Sequence, residues 1–333
     1  MVEELVADLL EDVPGPDEPA RLAVRDRASR VLRPAGALAR MDEVAVWLAG
    51  WQRTTTPEVR APAATIFVAD HGVAVEGVSA YPANVTGQML EALRSGAATA
   101  TVMARRAGVH LQVVDVGVGR PTGNIAVEPA LTAEGFVRCF EAGRRAVARL
   151  RTDLLVLGEM GIGNTTPAAA VSTGLFGPPA EDWTGRGTGV DDDGWARKVA
   201  VVDSAARRLE TDSGPIEILR QLGGAELAAV AGGTVEARRR SIPVLLDGFG
   251  VTASVAPLEV LRPGALEHCL AGHCSAEPGH ELLLSKLGME PLLRLSLRLG
   301  EGSGALAAVP LVRLAAACVT DVATFEERGI TGP

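Results

Sequence analysis

Two glutamates stand between glycines in this 333-residue sequence, Glu159 in GEMG and Glu301 in GEGSG. Small flanking residues let a loop backbone approach a ligand closely, and a carboxylate desolvated in such a loop can become a general base. The plainer explanation for a glutamate is a solvated helix face, but neither residue lies on an obvious one. We therefore select Glu159 and Glu301 as candidate catalytic carboxylates.

The stretch 158–166, GEMGIGNTT, follows an apolar run at 154–157, which predicts a loop leaving a buried strand. Thr165, Thr166 and Pro167 then open an Ala-rich helix, whose N-terminus suits an anion. Other apolar or mixed runs also stop at glycine beside an acid or histidine, in VADHG, VVDVGVG, LLDGFG and LRLGEGSG. Because loops at the carboxyl ends of parallel strands share one edge of a sheet, we expect one site built by many loops.

This pattern of loops predicts an α/β fold. We expect a parallel-sheet, doubly wound, Rossmann-like core over residues 61–320. Residues 1–60 are predicted to form a smaller helical domain, with which the tail 321–333 is expected to pack. The pattern predicts strands at 64–69, 111–116 and 242–246. It predicts helices at 85–106 with Asn84 as N-cap, near 141–151, at 225–240 and at about 305–319.

Composition limits the class of protein. A hydrophobic content of 47% and a mean hydropathy of +0.20 allow a sizeable core, and apolar runs are interrupted before the roughly 18 residues of a membrane span. The acidic N-terminus MVEELVADLLED is unlike a signal peptide, so a cytoplasmic location is expected. A net charge of −9 disfavours nucleic-acid and membrane partners, and four cysteines are too few for a disulfide scaffold.

Several familiar motifs are absent or poorly matched. Gly300, Gly302 and Ala305 fit a G-x-G-x-x-A pattern, but no clean strand precedes it and no acid follows at about 20 residues. There is no Walker A lysine motif and no G-x-S-x-G elbow. An NAD-dependent oxidoreductase is therefore disfavoured.

Possible metal ligands have plainer explanations. The densest cluster has a spacing outside the common structural zinc patterns, so loop residues near a polar site are favoured; it comprises His268, Cys269, His273, Cys274 and His280. The acids at 191–193 could hold Mg²⁺, but a helix cap explains them without one. Asp70 and His71 are interpreted as a loop anchor rather than an acid–base pair. We predict no metal and no cofactor.

Taken together, the loops resemble one family, the nicotinate-nucleotide:dimethylbenzimidazole phosphoribosyltransferases of cobalamin lower-ligand assembly. The similarity runs from about Met41 to Ile330. It rests on the segments ADHGVAVEGVSAYPANVTGQM, DVGV, GEMGIGNTTPAAA, GRGTGVDDDGWARKVAVV, IPVLLDGF, HCSAEPGH, LRLGEGSGA and ATFEERGI. Several long matches in a fixed order are far more specific than one glycine motif.

The resemblance implies transfer of phosphoribose from nicotinate mononucleotide to 5,6-dimethylbenzimidazole, giving α-ribazole 5′-phosphate and nicotinate with inversion at the anomeric carbon. It implies that Glu301 is the general base and that Glu159 and Lys198 support it. It also implies a homodimer and phosphate contacts from Ser275, Ser303 and Gly304. The full set of candidate substrate-binding residues is Ser79, Tyr81, Gln88, Gly161, Gly163, Asn164, Gly187, Thr188, Gly189, Ser275, Gly302, Ser303 and Gly304.

The residues fit this chemistry independently. Nicotinate leaves readily from a cationic pyridinium centre, so the reaction needs orientation, phosphate anchoring and one base. Backbone amides at 302–304 could hold a phosphate, and Lys198 could neutralise an anion. An alternative of another class is a non-catalytic benzimidazole- or nucleotide-binding protein on the same fold. Because a pure binder needs no base, Glu159, Lys198 and Glu301 together favour the transferase.

Overall fold

The computed structural model describes residues 1–177 and 179–331. Five parallel strands form one sheet in the order β2-β1-β3-β4-β5. They span β1 Ala63–Ala69, β2 His110–Gly117, β3 Leu155–Met160, β4 Val244–Leu246 and β5 Cys269–Ala271. This strand order is that of a doubly wound sheet whose direction of winding reverses between β1 and β3. The predicted parallel α/β core is therefore confirmed.

Fourteen α-helices lie in the described part of the chain. They span α1 Val2–Leu9, α2 Glu18–Arg30, α3 Ala39–Gln52, α4 Val85–Ser95, α5 Thr99–Ala107, α6 Ala133–Ala148, α7 Thr165–Phe176, α8 Ala180–Trp183, α9 Asp192–Arg207, α10 Pro215–Leu222, α11 Ala225–Arg239, α12 Phe249–Leu261, α13 Pro278–Lys286 and α14 Ser303–Thr320. Short 3-10 turns occupy Gly72–Glu76 and Glu326–Arg328.

Helices cover both faces of the sheet. Successive side chains of β1 point to opposite faces, so Phe67 joins one apolar cluster while Ile66 and Val68 join the other. The first cluster includes residues of α6, α7, α11 and α12, and the second includes residues of α3, α5 and α14. β1 is buried along its whole length, as expected of a central parallel strand.

The N-terminal helices and the tail are in contact. α2 packs on α3, α3 packs on α14, and the backbone N–H groups of Leu32 and Phe325 donate to Ala323 and Arg30 at 2.9 and 3.1 Å. The predicted division into domains at residues 60 and 320 remains a prediction. α14 is the one described helix long and apolar enough to cross a membrane, but 56% of it is buried within the fold, as is typical of a core helix.

Two details of the predicted elements were wrong, and a third was right in position only. The single helix at 85–106 is two helices, because Gly96 adopts φ +81° and ends α4, and Ala98 is extended. Asn84 occupies the N-cap position of α4 as predicted, although its side chain accepts no capping hydrogen bond. The helix expected near 141–151 begins at Ala133, where the Thr132 hydroxyl accepts the Gly135 N–H at 3.0 Å.

Candidate active site

A cavity of about 110 Å³ lies beside the carboxyl end of β3. Its walls come from the segments 78–79, 159–165, 186–190, 248–250, 273–277 and 298–301, together with Lys198. These segments include the connections after β3, β4 and β5. The cavity is therefore at the edge of the sheet, next to the reversal between β1 and β3, where doubly wound folds bind ligands.

The cavity collects most of the candidate site residues. Those that line it are Glu159, Glu301, Lys198, Ser79, Gly161, Gly163, Asn164, Gly187, Thr188 and Ser275. Those that do not are Tyr81, Gln88, Gly189, Gly302, Ser303 and Gly304. Tyr81 is 51% exposed, and Gln88 lies on an exposed position of α4. The binding roles assigned to all these residues remain predictions.

Glu159 lies within β3 rather than in the loop that follows it. Its side chain is buried, and the Asn164 amide donates to its Oε2. Burial raises the pKa of Glu159 to about 8, with further increases from the nearby charges of Glu226 and Asp247 and an opposing effect from the Asn164 hydrogen bond. Glu159 is therefore largely protonated at neutral pH and can donate a hydrogen bond into the cavity.

Glu301 is 3% exposed and adopts a left-handed backbone conformation with φ +60°. Its own N–H donates to the carbonyl oxygen of Glu159 at 3.1 Å, which ties the turn to β3. Burial raises the pKa of the Glu301 carboxyl, the Ala100 N–H in the first turn of α5 opposes this, and Asp247 adds to the increase. The net increase makes the Glu301 carboxylate a stronger proton acceptor than an ordinary glutamate.

Asp247 is a site residue to which the sequence analysis gave no role. It follows β4 and is fully buried. Its Oδ2 accepts the N–H of Gly302 at 3.0 Å, and its Oδ1 accepts those of Gly304 and Ala305 at 2.8 and 3.0 Å. The Gly302 and Gly304 amides predicted to hold a phosphate are thus bonded to the protein's own carboxylate in this structure.

The charge of Asp247 is stabilised by its neighbours. Burial alone would raise the pKa of Asp247, but His273 and backbone N–H groups outweigh burial and lower it. His273 Nε2 lies 3.4 Å from Oδ1 of Asp247. Asp247 therefore remains an anion at the first turn of α14, where the helix dipole favours negative charge.

Lys198 reaches the cavity from α9 and is 1% exposed. Its Nζ donates to the Thr165 hydroxyl at 2.9 Å, at the start of α7. Burial lowers the pKa of Lys198, and the charge of Glu277 opposes this effect. Glu277, in the HCSAEPGH segment, is another charged cavity residue that the sequence analysis missed, as are Arg186 and Arg298. Burial raises the pKa of Glu277, and the charge of Lys198 opposes that increase.

The predicted helix cap of α9 is present. The Asp191 side chain accepts the Gly194 N–H at 2.8 Å and lies at the N-cap. Asp70 anchors a loop as expected, because its Oδ2 accepts the Gly119 N–H at 2.7 Å. His71 Nε2 makes a buried hydrogen-bond contact with the Glu226 carboxyl.

The histidines of the HCSAEPGH region have structural contacts. His268 packs edge-on against Trp51 and bonds the carbonyl oxygen of Thr234 at 3.1 Å, while His280 bonds Thr252 and accepts the Ser275 N–H at 2.9 Å. Burial lowers the pKa of both imidazoles to about 3, so both are neutral. Among residues 1–177 and 179–331, no group of three or more His, Cys, Asp or Glu is arranged to hold a metal ion.

Comparison with known proteins identifies the class of protein as a phosphoribosyltransferase. A family model described as phosphoribosyltransferase matches residues 13–330. The chain is 47% identical over 324 residues to a nicotinate-nucleotide–dimethylbenzimidazole phosphoribosyltransferase of Ruegeria pomeroyi, covering 97% of this chain and 96% of that protein. It is 45% identical over 325 residues to the protein of the same name from Rhizobium meliloti, covering 97% and 96%.

Comparison with solved structures leads to the same family as these relatives. The crystal structure of CobT from Thermus thermophilus aligns with a TM-score of 0.91 at 41% identity, covering 95% of this chain and all of that one. The chain belongs to the nicotinate-nucleotide:dimethylbenzimidazole phosphoribosyltransferase family. This confirms the family that the sequence motifs predicted, and with it the α/β fold.

Proposed function

We propose that this chain transfers phosphoribose from nicotinate mononucleotide to 5,6-dimethylbenzimidazole, releasing nicotinate and forming α-ribazole 5′-phosphate. The names of its full-length relatives support this reaction. The observation that carries it is that Glu159, Lys198 and Glu301, which lie far apart in sequence, are all buried and all line one cavity. A base and a buried cation in one cavity suit a reaction between an anionic nucleotide and a weakly acidic heterocycle.

Glu301 is the proposed general base. Its carboxylate accepts the N–H proton of the benzimidazole while the other ring nitrogen bonds to the anomeric carbon. The bond from that carbon to the nicotinate nitrogen breaks, and its electron pair stays on the departing pyridine. Attack opposite the leaving group inverts the anomeric carbon. The raised pKa of Glu301 supports this role because a base works best when its pKa approaches the working pH.

The other residues are proposed to bind and orient the substrates. Protonated Glu159 would donate a hydrogen bond, and Lys198 would pair with the phosphate or carboxylate of nicotinate mononucleotide. Ser275 lines the cavity and supplies a hydroxyl for the phosphate. We also propose a homodimer in the cytoplasm, by family resemblance.

The test incubates purified protein with nicotinate mononucleotide and 5,6-dimethylbenzimidazole and measures nicotinate and α-ribazole phosphate by chromatography. Glu301→Gln should reduce turnover by about 10²- to 10⁴-fold, the usual contribution of a general base, while nucleotide binding by calorimetry persists. Glu281→Gln, on an exposed ion pair of α13, is the control and should keep the wild-type rate. Near-normal turnover in Glu301→Gln would refute the base.

The same assay separates the transferase from a binding protein. Equal amounts of both products establish the transferase. Tight binding of both substrates with no release of nicotinate would instead support the non-catalytic alternative.

A further inference from the structure

The turn that carries Glu301 has an unusual backbone. Gly300, Glu301 and Gly302 have φ of +81°, +60° and +77°, three consecutive residues in the left-handed region. Glycine adopts this region freely, but a glutamate there is strained and persists only where the surroundings hold it. The direction of the Glu301 side chain therefore depends on what holds the turn.

Two hydrogen bonds hold the residues at the centre of the turn. The Glu301 N–H donates to Glu159, and the Gly302 N–H donates to Asp247. Asp247 lies 55 residues before Gly302 in the chain, and it directly follows Leu246, which pairs with Leu157 of β3 and Ala271 of β5. The turn is thereby fixed to the middle of the sheet.

Close packing leaves the turn little freedom to shift. A Cβ atom added to Gly158 would lie 2.6 Å from the Gly302 nitrogen, and one added to Gly304 would overlap the His273 ring. The turn is thus pressed between β3 and His273. The carboxylate of Asp247 bonds the amides on both sides of Ser303, at Gly302 and Gly304.

We propose that Asp247 is a positioning residue for the general base. Its carboxylate fixes the turn at residues 300–302 and so sets the direction of Glu301 toward the benzimidazole. A side chain at the N-cap itself usually caps a helix, but Gly302 holds that position in α14. The fully buried carboxylate of Asp247 takes the place of an N-cap side chain, and burying an anion is costly. Its role in placing Glu301 accounts for that cost. The inference rests on the proposed function, since Glu301 must be the base.

The most informative variant is Asp247→Asn. An amide has one acceptor oxygen and one donor nitrogen where the carboxylate has two acceptors. If the oxygen keeps Gly304 and Ala305, the amide nitrogen faces the N–H of Gly302, and two donors oppose each other. The disturbance falls on the residue next to Glu301.

The expected result is a fall in kcat of about 10- to 100-fold, comparable with the effect of misplacing a reacting group by about 1 Å. The KM for nicotinate mononucleotide should stay within about threefold of wild type, because Asp247 acts on the base rather than on the nucleotide. The matched control is Asp153→Asn, whose carboxylate also accepts two backbone N–H groups, from Arg60 and Ala61 at 2.6 and 2.8 Å, at the opposite end of β3. It should keep the wild-type kcat.

A second comparison isolates the route of the effect. In enzyme-excess single-turnover assays, Asp247→Asn added to Glu301→Gln should cause almost no further loss, because there is no longer a base to position. A kcat within about twofold of wild type in Asp247→Asn, an equal fall in Asp153→Asn, or full additivity with Glu301→Gln would each overturn the proposal.

Two further outcomes are distinguishable. If Asp247→Asn does not fold, Gly302→Ala tests the proposal instead. The φ of +77° at this position strains an alanine, and the added Cβ meets its nearest atom only at 3.6 Å. The substitution therefore disturbs the turn without removing the buried charge of Asp247. An unchanged kcat in that variant would overturn the proposal. Absence of products with the wild-type protein would instead refute the proposed function itself.

Discussion

Replacing Glu159 by glutamine should change how the stability of the protein depends on pH. Burial, together with the charges of Glu226 and Asp247, raises the pKa of this carboxyl from an ordinary 4.5 to about 8. The folded protein therefore binds this proton more tightly than the unfolded chain does. Glutamine has almost the shape of the protonated acid but has no proton to lose.

The sign and size follow from linkage. A group whose pKa is raised on folding contributes stability that is fully present below its unfolded pKa and is lost as the pH rises through its folded pKa. Between the unfolded and the folded pKa, the free energy of unfolding falls by about 1.4 kcal/mol per pH unit. The whole interval, from pH 4.5 to about 8, corresponds to a loss of roughly 5 kcal/mol. Between about pH 5.5 and 7.5, the free energy of unfolding of Glu159→Gln should increase relative to wild type by about 2 to 3 kcal/mol.

The measurement is urea unfolding of both proteins at several pH values, with the free energy of unfolding extrapolated to water. Glu217→Gln is the control. The hydrogen bond from Arg220 lowers the pKa of Glu217, so this carboxyl is ionised in both folded and unfolded chains above about pH 5.5. Its difference from wild type should be constant across the same range. Parallel curves for wild type and Glu159→Gln would refute the argument that Glu159 holds a proton at neutral pH.

Two further substitutions test the walls of the cavity. Lys198→Met removes a buried ammonium group, and we expect the KM for nicotinate mononucleotide to increase by about 10-fold or more, as for a lost charge-assisted hydrogen bond; an unchanged KM in steady-state assays would contradict this. Gly250→Ala places a Cβ 2.6 Å from Oε1 of Glu159, so activity should fall even though alanine favours a helix more than glycine does. Gly15→Ala is the control and should keep the wild-type activity, because no atom lies within 4 Å of its added Cβ. Equal activity of the two alanine variants would show that Glu159 has room to move.

The longer strands were predictable because their signal is local. β1 is an apolar run, AATIFVA, interrupted only by Thr65, and its burial on both faces requires no information from elsewhere in the chain. β5 was not predicted, because it has only three residues, CLA, between a histidine and a glycine. A strand so short is defined by its pairing with β4 rather than by its composition.

The break between α4 and α5 illustrates a different limit. Residues 85–106 have helical spacing throughout, and a single glycine inside such a pattern is compatible with a continuous helix. Gly96 ends α4 because its N–H and those of the next two residues return to the carbonyls of Leu93 and Ala92. Whether a glycine lies within a continuous helix or ends it therefore depends on how the segment after it packs.

The candidate site was predictable where the sequence carried a compact motif. GEMG and GEGSG identified two of the cavity carboxylates, Glu159 and Glu301, and the family motif identified Lys198. The segment LLDGFG marked Asp247 as an acid beside glycine at the end of an apolar run, but not its role, because its partners lie 55 or more residues away and their amides have no side chain to mark them. Glu277 was missed for the same reason, since its neighbour Lys198 lies on another helix.

The strand order explains why these distant residues act at one place. β3 and β4 are neighbours, with Leu157 paired to Leu246, so Glu159 and Asp247 both lie within two residues of this pair, on adjacent strands. The loop with Glu301 is hydrogen-bonded to both: the carbonyl oxygen of Glu159 in β3 accepts the Glu301 N–H, and the side chain of Asp247, directly after β4, accepts the Gly302 N–H. The position of the proposed base is therefore determined by the register of two parallel strands, although the base itself belongs to neither.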